Sequence, residues 1–244
     1  MEYDAAMRFA RSVAEHYDEQ HSPPLTETLE TVRFIERRAA PSNGVVEFGV
    51  GTGRVALPLA GKGYDVWGVD SSPEMLAELR KKDPSGTVTV FQDDMSSVRL
   101  GRRFGLAVCI FNSLHALASQ DRQVAFFENA ARHLDDGGQL IVETEIIGLR
   151  EFAWNKRIAP VSVAEDTAAL ALMFHDPLGQ RLTRQNIEFS GTDIRLTLNE
   201  IRYTWPAELD LMARLAGLTL AERFGGWDGA PFAGEGYCIS VYRR

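Results

Sequence analysis

Gly49, Gly51 and Gly53 alternate directly after the run Val45-Val46-Glu47-Phe48, and that spacing is the first place in this chain where chemistry is suggested. Three alternating glycines let a strand turn tightly and bring its backbone against a ligand. Val55, Leu57, Leu59 and Ala60 then fit one face of a helix whose free N–H groups point at the same spot. Such a loop cradles part of a nucleotide, although a glycine turn also joins strand to helix for structural reasons alone. The groups at neighbouring strand ends therefore decide. Asp70-Ser71-Ser72 closes a second apolar strand about 20 residues past the loop, the spacing at which a carboxylate accepts ribose hydroxyls. Its competing role is a turn or N-cap before Pro73, which Ser71 or Ser72 can also fill. Asp94-Met95, after a third strand, can meet an adenine, the carboxylate accepting from the exocyclic amine and the thioether lying on the ring. Phe111-Asn112-Ser113 ends a fourth strand. His115, just beyond it, is the histidine best placed to take a proton from an acceptor, with a packing role as the alternative. Glu143 near the end of a fifth strand, Tyr17 before the break at 21–24, and Trp227 in the loop 225–232 are further candidates for the acceptor side.

The elements that must position these residues alternate. After two helices, about 3–17 and 25–40, come strands near 45–48, 65–69, 88–91, 106–111 and 140–144, with helices after the glycine loop and at 73–82 and 121–134. That order predicts a parallel sheet with right-handed crossovers, whose ligands gather at the carboxyl ends of the strands. Past residue 150 the pattern becomes three hairpin strands, 167–175, 180–190 and 193–204, joined by Asp176-Pro177-Leu178-Gly179 and Ser190-Gly191-Thr192. Such an antiparallel layer caps the sheet or pairs subunits. A helix from Glu208 to Ala216 and strands 219–224 and 237–242 complete the core. The expected division is one domain: a helical lid (1–40), a cofactor-binding core (41–150), an antiparallel cap (151–205), and a helix and hairpin of the core (206–244).

Composition narrows the partners. A chain of 244 residues that is 45% hydrophobic buries one large core. A net charge of −8 opposes a nucleic-acid partner, and Arg99, Arg102 and Arg103 read as a solvated turn. No apolar run suits a signal peptide or a membrane span, so a cytoplasmic protein without membrane contact is expected. Cys109 and Cys238 lie in apolar strands as small buried hydrophobes, and no His, Cys and carboxylate cluster has metal-ligand spacing.

With these residues assembled, the chain resembles the class I S-adenosylmethionine-dependent methyltransferases over roughly residues 10–145. The segments that carry the likeness are EFGVGTGR at 47–54, GVDSSPEML at 68–76, QDDM at 92–95 and DGGQLIVE at 136–143. The resemblance implies a Rossmann-like, mostly parallel seven-stranded sheet with helices on both faces, a helical lid and a small antiparallel cap after strand five. It implies S-adenosylmethionine as cofactor, held by Glu47, Gly49, Gly51 and Gly53, by Asp70 and Ser71 at the ribose, and by Asp94 with Met75 and Met95 at the adenine. Tyr17, Phe111 and Asn112 complete that cofactor set, and Glu143 and Trp227 stand on the acceptor side. A cap after strand five resembles small-molecule N-methyltransferases such as the amino-sugar dimethylating enzymes, which points to an amine acceptor over the hydroxyl of an O-methyltransferase substrate. A nicotinamide dehydrogenase would want its third glycine where Arg54 stands and has no use for Asp94-Met95. A nucleotide-binding protein without turnover is the remaining alternative. The cap is compatible with a homodimer, and the sequence leaves the oligomeric state open.

Overall fold

In a computed structural model that describes residues 2–21 and 23–244, the core is a seven-stranded sheet in the order β10-β11-β5-β4-β1-β2-β3. Ser22, in the expected helix break, lies outside the described residues. The strands are β1 (Val45–Phe48), β2 (Val66–Asp70), β3 (Val88–Gln92), β4 (Phe104–Cys109), β5 (Leu134–Glu145), β10 (Thr219–Phe224) and β11 (Tyr237–Arg243). Strands β1 to β5 pair in parallel, while β11 runs antiparallel to both β5 and β10. β1 lies between β2 and β4, so the strand order reverses there and opens a crevice at the carboxyl ends.

The period of two along β1 sorts its side chains between two apolar layers. Val46 and Phe48 pack with Phe126 and Phe127 of α6 (Gln120–Arg132) and Leu209 and Met212 of α7 (Pro206–Leu215). Val45 faces the other layer, with Phe34 and Ile35 of α3 (Leu25–Glu36), Leu59 of α4 (Ala56–Gly61), and Leu76 and Leu79 of α5 (Pro73–Lys82). Both faces are thus covered, as a parallel sheet requires. Ser72 caps α5, its hydroxyl accepting from the Met75 N–H at 3.2 Å, with Pro73 in the first turn. The cap role therefore falls to Ser72.

The N-terminal segment breaks earlier than its periodicity predicts, into α1 (Glu2–Val13), a 3₁₀ turn (Ala14–His16) and α2 (Tyr17–His21). Ala10, Val13 and Ala14 pack on Met75 and lay this segment against α5. The cap is a four-stranded antiparallel sheet of β6 (Lys156–Val163), β7 (Thr167–Asp176), β8 (Arg181–Ser190) and β9 (Asp193–Arg202). β6 is one strand more than expected. It is an edge strand, where Pro160 costs no ladder hydrogen bond. Gly191, at φ +58, makes the tight β8–β9 turn. No described helix is long and apolar enough to cross a membrane.

Candidate active site

A cavity of about 320 Å³ opens at the carboxyl ends of β1 to β4, beneath α1 and α2. Gly49, Gly51, Asp70, Ser71, Met75, Asp94, Met95, Phe111, Asn112 and Tyr17 line it, so most residues expected at a cofactor meet around one space.

The glycine loop works differently from a cradle of free N–H groups. α4 begins only at Ala56, and the Gly51 N–H donates to Asp70 Oδ2 at 2.8 Å. Asp70 Oδ1 accepts the Ser72 N–H at 2.9 Å, so one carboxylate ties the loop to the start of α5. Burial pushes the Asp70 carboxyl up from its ordinary value, against the N–H groups of Ser72, Gly51 and Ser71. Gly51, at φ +53, has nothing within 4 Å of where a Cβ would stand, so the loop leaves room for a guest in the cavity. At Gly49 a Cβ would stand 2.6 Å from Ser113 Oγ, and only glycine lets β1 approach the end of β4 so closely.

At that end Phe111 (φ 53) and Asn112 (φ 60) are consecutive left-handed residues, a conformation that costs on the order of 1 kcal/mol or more each. Glu143 Oε2 accepts the Phe111 N–H at 2.7 Å, and Asn112 Oδ1 accepts the Glu145 N–H at 2.7 Å. These bonds hold the turn and place both residues in the cavity wall. The Arg54 guanidinium lies 5.0 Å from the centre of the Phe111 ring. It opposes the rise that burial imposes on the carboxyls of Glu143 and Glu47, the latter pushed up to about 8. Arg54 itself does not line the cavity and bonds the Thr28 hydroxyl at 3.3 Å. Asp94 Oδ1 accepts from both the N–H and the hydroxyl of Ser96, and Oδ2 pairs with Arg122.

Several expected residues lie elsewhere. Glu47 is buried beneath the cavity with one oxygen unpartnered, and a Cβ on Gly53 would meet Leu57 and Leu79 at 3.0 Å. His115, the expected base, is 0% exposed and absent from the cavity wall. Its Nε2 stands 3.3 Å from the N and Oγ1 of Thr204, and burial, then Arg202, pushes its pKa down to about 4. Trp227 is 3% exposed, edge-on to Phe34 at 5.2 Å, because the loop 225–232 folds inward over α3. Neither Trp227 nor the buried Glu143 lines this cavity, and Glu143 instead positions Phe111. Among the described residues no group of three or more His, Cys, Asp or Glu side chains can hold a metal.

Sequence spacing missed Phe9, His21, Arg122, Asn199 and Ile201, which also line the cavity. Only the alternation of Asn199 and Ile201 on β9 offered a signal. A second cavity of about 510 Å³ lies between the lid and the inner face of the cap, with Arg184, Asn186, Glu188 and Thr197 in its wall. Phe9, His21 and Asn199 belong to both walls.

The lid is latched. Asp18 accepts from the Thr52 hydroxyl at 2.5 Å and from Lys82 Nζ at 2.6 Å, and Arg11 pairs with Glu74 at 2.9 Å. Burial works against the Asp18 charge, but the bonds from Lys82 and Thr52 outweigh it and hold the carboxyl below its usual value. Asp18→Ala is expected to raise the dissociation rate of the nucleoside ligand expected in this cavity about fivefold, the worth of roughly 1 kcal/mol for a half-exposed latch. Stopped-flow displacement measures it, and an unchanged rate would mean that the lid is held by packing alone.

Residues 45–138 match a family model described as a methyltransferase domain. The CcbJ methyltransferase from Streptomyces caelestis superposes with a TM-score of 0.90 at 35% identity, with 98% of each chain covered. The cypemycin N-terminal methyltransferase of a Streptomyces species is 25% identical over 189 residues, 77% of each chain. The dTDP-3-amino-3,4,6-trideoxy-α-D-glucopyranose N,N-dimethyltransferase of Streptomyces venezuelae is 28% identical over 167 residues, 68% of this chain and 69% of its own. A cavity of about 320 Å³ at the strand ends, with an open glycine turn at Gly51 and Asp70, Asp94 and Met95 in its wall, fits the cofactor of these enzymes, and the chain belongs to the class I S-adenosylmethionine-dependent methyltransferases.

Proposed function

We propose that the acceptor is a small-molecule amine, bound in the cavity between lid and cap and methylated on nitrogen. The observation that carries this reading is His21, which stands where the two cavities meet with its Nδ1 buried and without a hydrogen-bond partner. Its ring stacks on Tyr17 at 5.1 Å and lies edge-on to Phe9 at 5.8 Å, so its orientation is fixed. Burial and then the Arg184 cation lower its pKa, against Glu188, and the ring is neutral near pH 7 and able to take a proton. The nitrogen acceptors in the names of two relatives, a peptide N-terminus and an amino sugar, support nitrogen over oxygen.

The bound cofactor supplies a methyl group on a sulfonium, open to in-line displacement by a lone pair. The chain's task is positioning and exclusion of water. Phe9 and Tyr17 of the lid close over the first cavity, polar groups of β8 and β9 hold the acceptor, and His21 takes the proton that the amine must lose. A panel of amines, phenols and carboxylates assayed with methyl-labelled cofactor tests this. Label on amines is expected, with turnover falling about 10²-fold in His21→Gln and S-adenosylhomocysteine affinity unchanged. Label on oxygen acceptors alone would overturn the nitrogen reading.

A further inference from the structure

We infer that the acceptor is an amino acid, its free carboxylate held by Arg184 on the inner face of β8 beside the amine that is methylated. This rests on the amine reading above and names the second group that the cavity between lid and cap selects. Arg184, Asn186 and Glu188 alternate onto one face of β8 and stand together in the wall of that cavity. Their neighbours are small or neutral: Ala171 and Ala169 of β7 lie opposite Asn186 and Glu188, and Asn199 and Thr197 of β9 lie opposite Arg184 and Asn186. Two charges are therefore set in a wall otherwise without charge, and they are not spent on each other. Four residues at ~3.4 Å each place their Cα atoms about 13 Å apart. The Arg184 Nε donates to Asn186 Oδ1 at 2.9 Å, which lays the guanidinium along the wall. Both of its terminal nitrogens, and the Glu188 carboxylate, are without a partner among the described residues. Two parallel N–H groups of a guanidinium match the two oxygens of a carboxylate.

Register decides which part of the acceptor is anionic. Arg184 pairs with Asn199, which belongs to the walls of both cavities, whereas Glu188 lies farther along β8, away from the cofactor. The carboxylate therefore sits next to the reacting nitrogen, the order of an amino acid. Glu188 has the opposite sense: it attracts a cationic or hydrogen-bond-donating group at the far end and repels a second anion. Arg195, its neighbour across β9, is exposed and outside this wall, so it does not cancel that repulsion. A nucleotide diphosphate, anionic on both phosphates, would meet one cation and one anion here, and that mismatch selects against it. Binding of a carboxylate also tunes the base. After burial, the Arg184 cation is what lowers the His21 pKa, so an acceptor that neutralises Arg184 lets His21 hold the departing proton more firmly.

Methyl transfer to paired probes tests this: L-alanine against ethylamine, L-phenylalanine against phenethylamine, and L-proline against pyrrolidine. In the pair that is labelled, the acid is expected to exceed its amine by about tenfold or more in kcat/KM, carried by KM, the worth of one charge-assisted contact. Arg184→Gln should bring that ratio close to one with S-adenosylhomocysteine affinity retained, and Arg184→Lys should keep part of it. No label on any amine, from protein that binds S-adenosylhomocysteine, would overturn the amine reading and the carboxylate with it. Label on amines with acid and amine equal in every pair, a ratio that persists in Arg184→Gln, or a wild-type preference for a nucleotide-linked amino sugar would overturn the carboxylate site alone.

Discussion

Asp70→Ala is expected to weaken S-adenosylhomocysteine binding by about 10²- to 10³-fold, from the loss of two charge-assisted hydrogen bonds worth roughly 1.5–3 kcal/mol each, partly offset by water. Two effects act together. The carboxylate is the acceptor at the end of β2 that faces the cavity, and it also fixes the Gly51 N–H and the start of α5. Ser72 still caps α5, so the fold should survive with a small drop in Tm. Calorimetric titration measures the affinity, and a wild-type value in the variant would remove Asp70 from the cofactor site. The raised pKa of Asp70 adds a sign: on acidification wild-type affinity should begin to fall at a higher pH than for an ordinary carboxylate, because the protonated acid loses acceptor strength. Asp70→Ala should show no such fall.

Arg202→Ala is expected to lower stability by about 3–5 kcal/mol, the cost of breaking a buried ion pair from one side. In a chain of this size that moves Tm by on the order of 10 °C. Arg202, 6% exposed at the end of β9, bonds Gln123 of α6 at 2.5 Å, Glu208 of α7 at 2.7 Å and Gln180 in the β7–β8 turn at 3.2 Å. It is therefore the pin between cap and core. Burial opposes the Glu208 charge, but hydrogen bonds from Arg202, Gln180 and Gln120 outweigh it and hold the carboxyl below 4.5. A depressed pKa means that this stability is present above the unfolded-state value and is lost as pH falls through the folded one. The gap in Tm between wild type and Arg202→Ala should thus be full at neutral pH and narrow in acid, once the pH falls below the ordinary carboxylate range. Replacing both partners, Arg202→Met with Glu208→Leu, should recover much of the loss. A neutral-pH Tm within 2 °C or so of wild type in Arg202→Ala would show that apolar packing alone joins cap to core.

Much of the core is legible because its signals are short-range. Val45–Phe48, the alternating glycines and Ser72-Pro73 each dictate a local conformation, and the structure has the strand, the turn and the capped helix where those residues stand. β6 is illegible because its partner is β7, and Pro160 is an edge residue only once the sheet is assembled. The histidines show the same limit. His115 lies beside a strand end in sequence, yet Thr204, far along the chain, closes over it. His21 sits in a polar run, yet the cap brings Arg184 and Glu188 to it.

The sequence by itself determined the backbone of the site: strand ends with glycines, an acid about 20 residues on and a second acid beside a methionine, because turns, caps and period-two alternation depend on neighbours in the chain. Only the tertiary structure decided which side chains face the cavity. Trp227 turns inward onto Phe34, Glu143 becomes a support for Phe111, and His21 lines the cavity where His115 does not. Burial, desolvation and the pairing of charges are set by elements that arrive from distant positions, and no local spacing carries them.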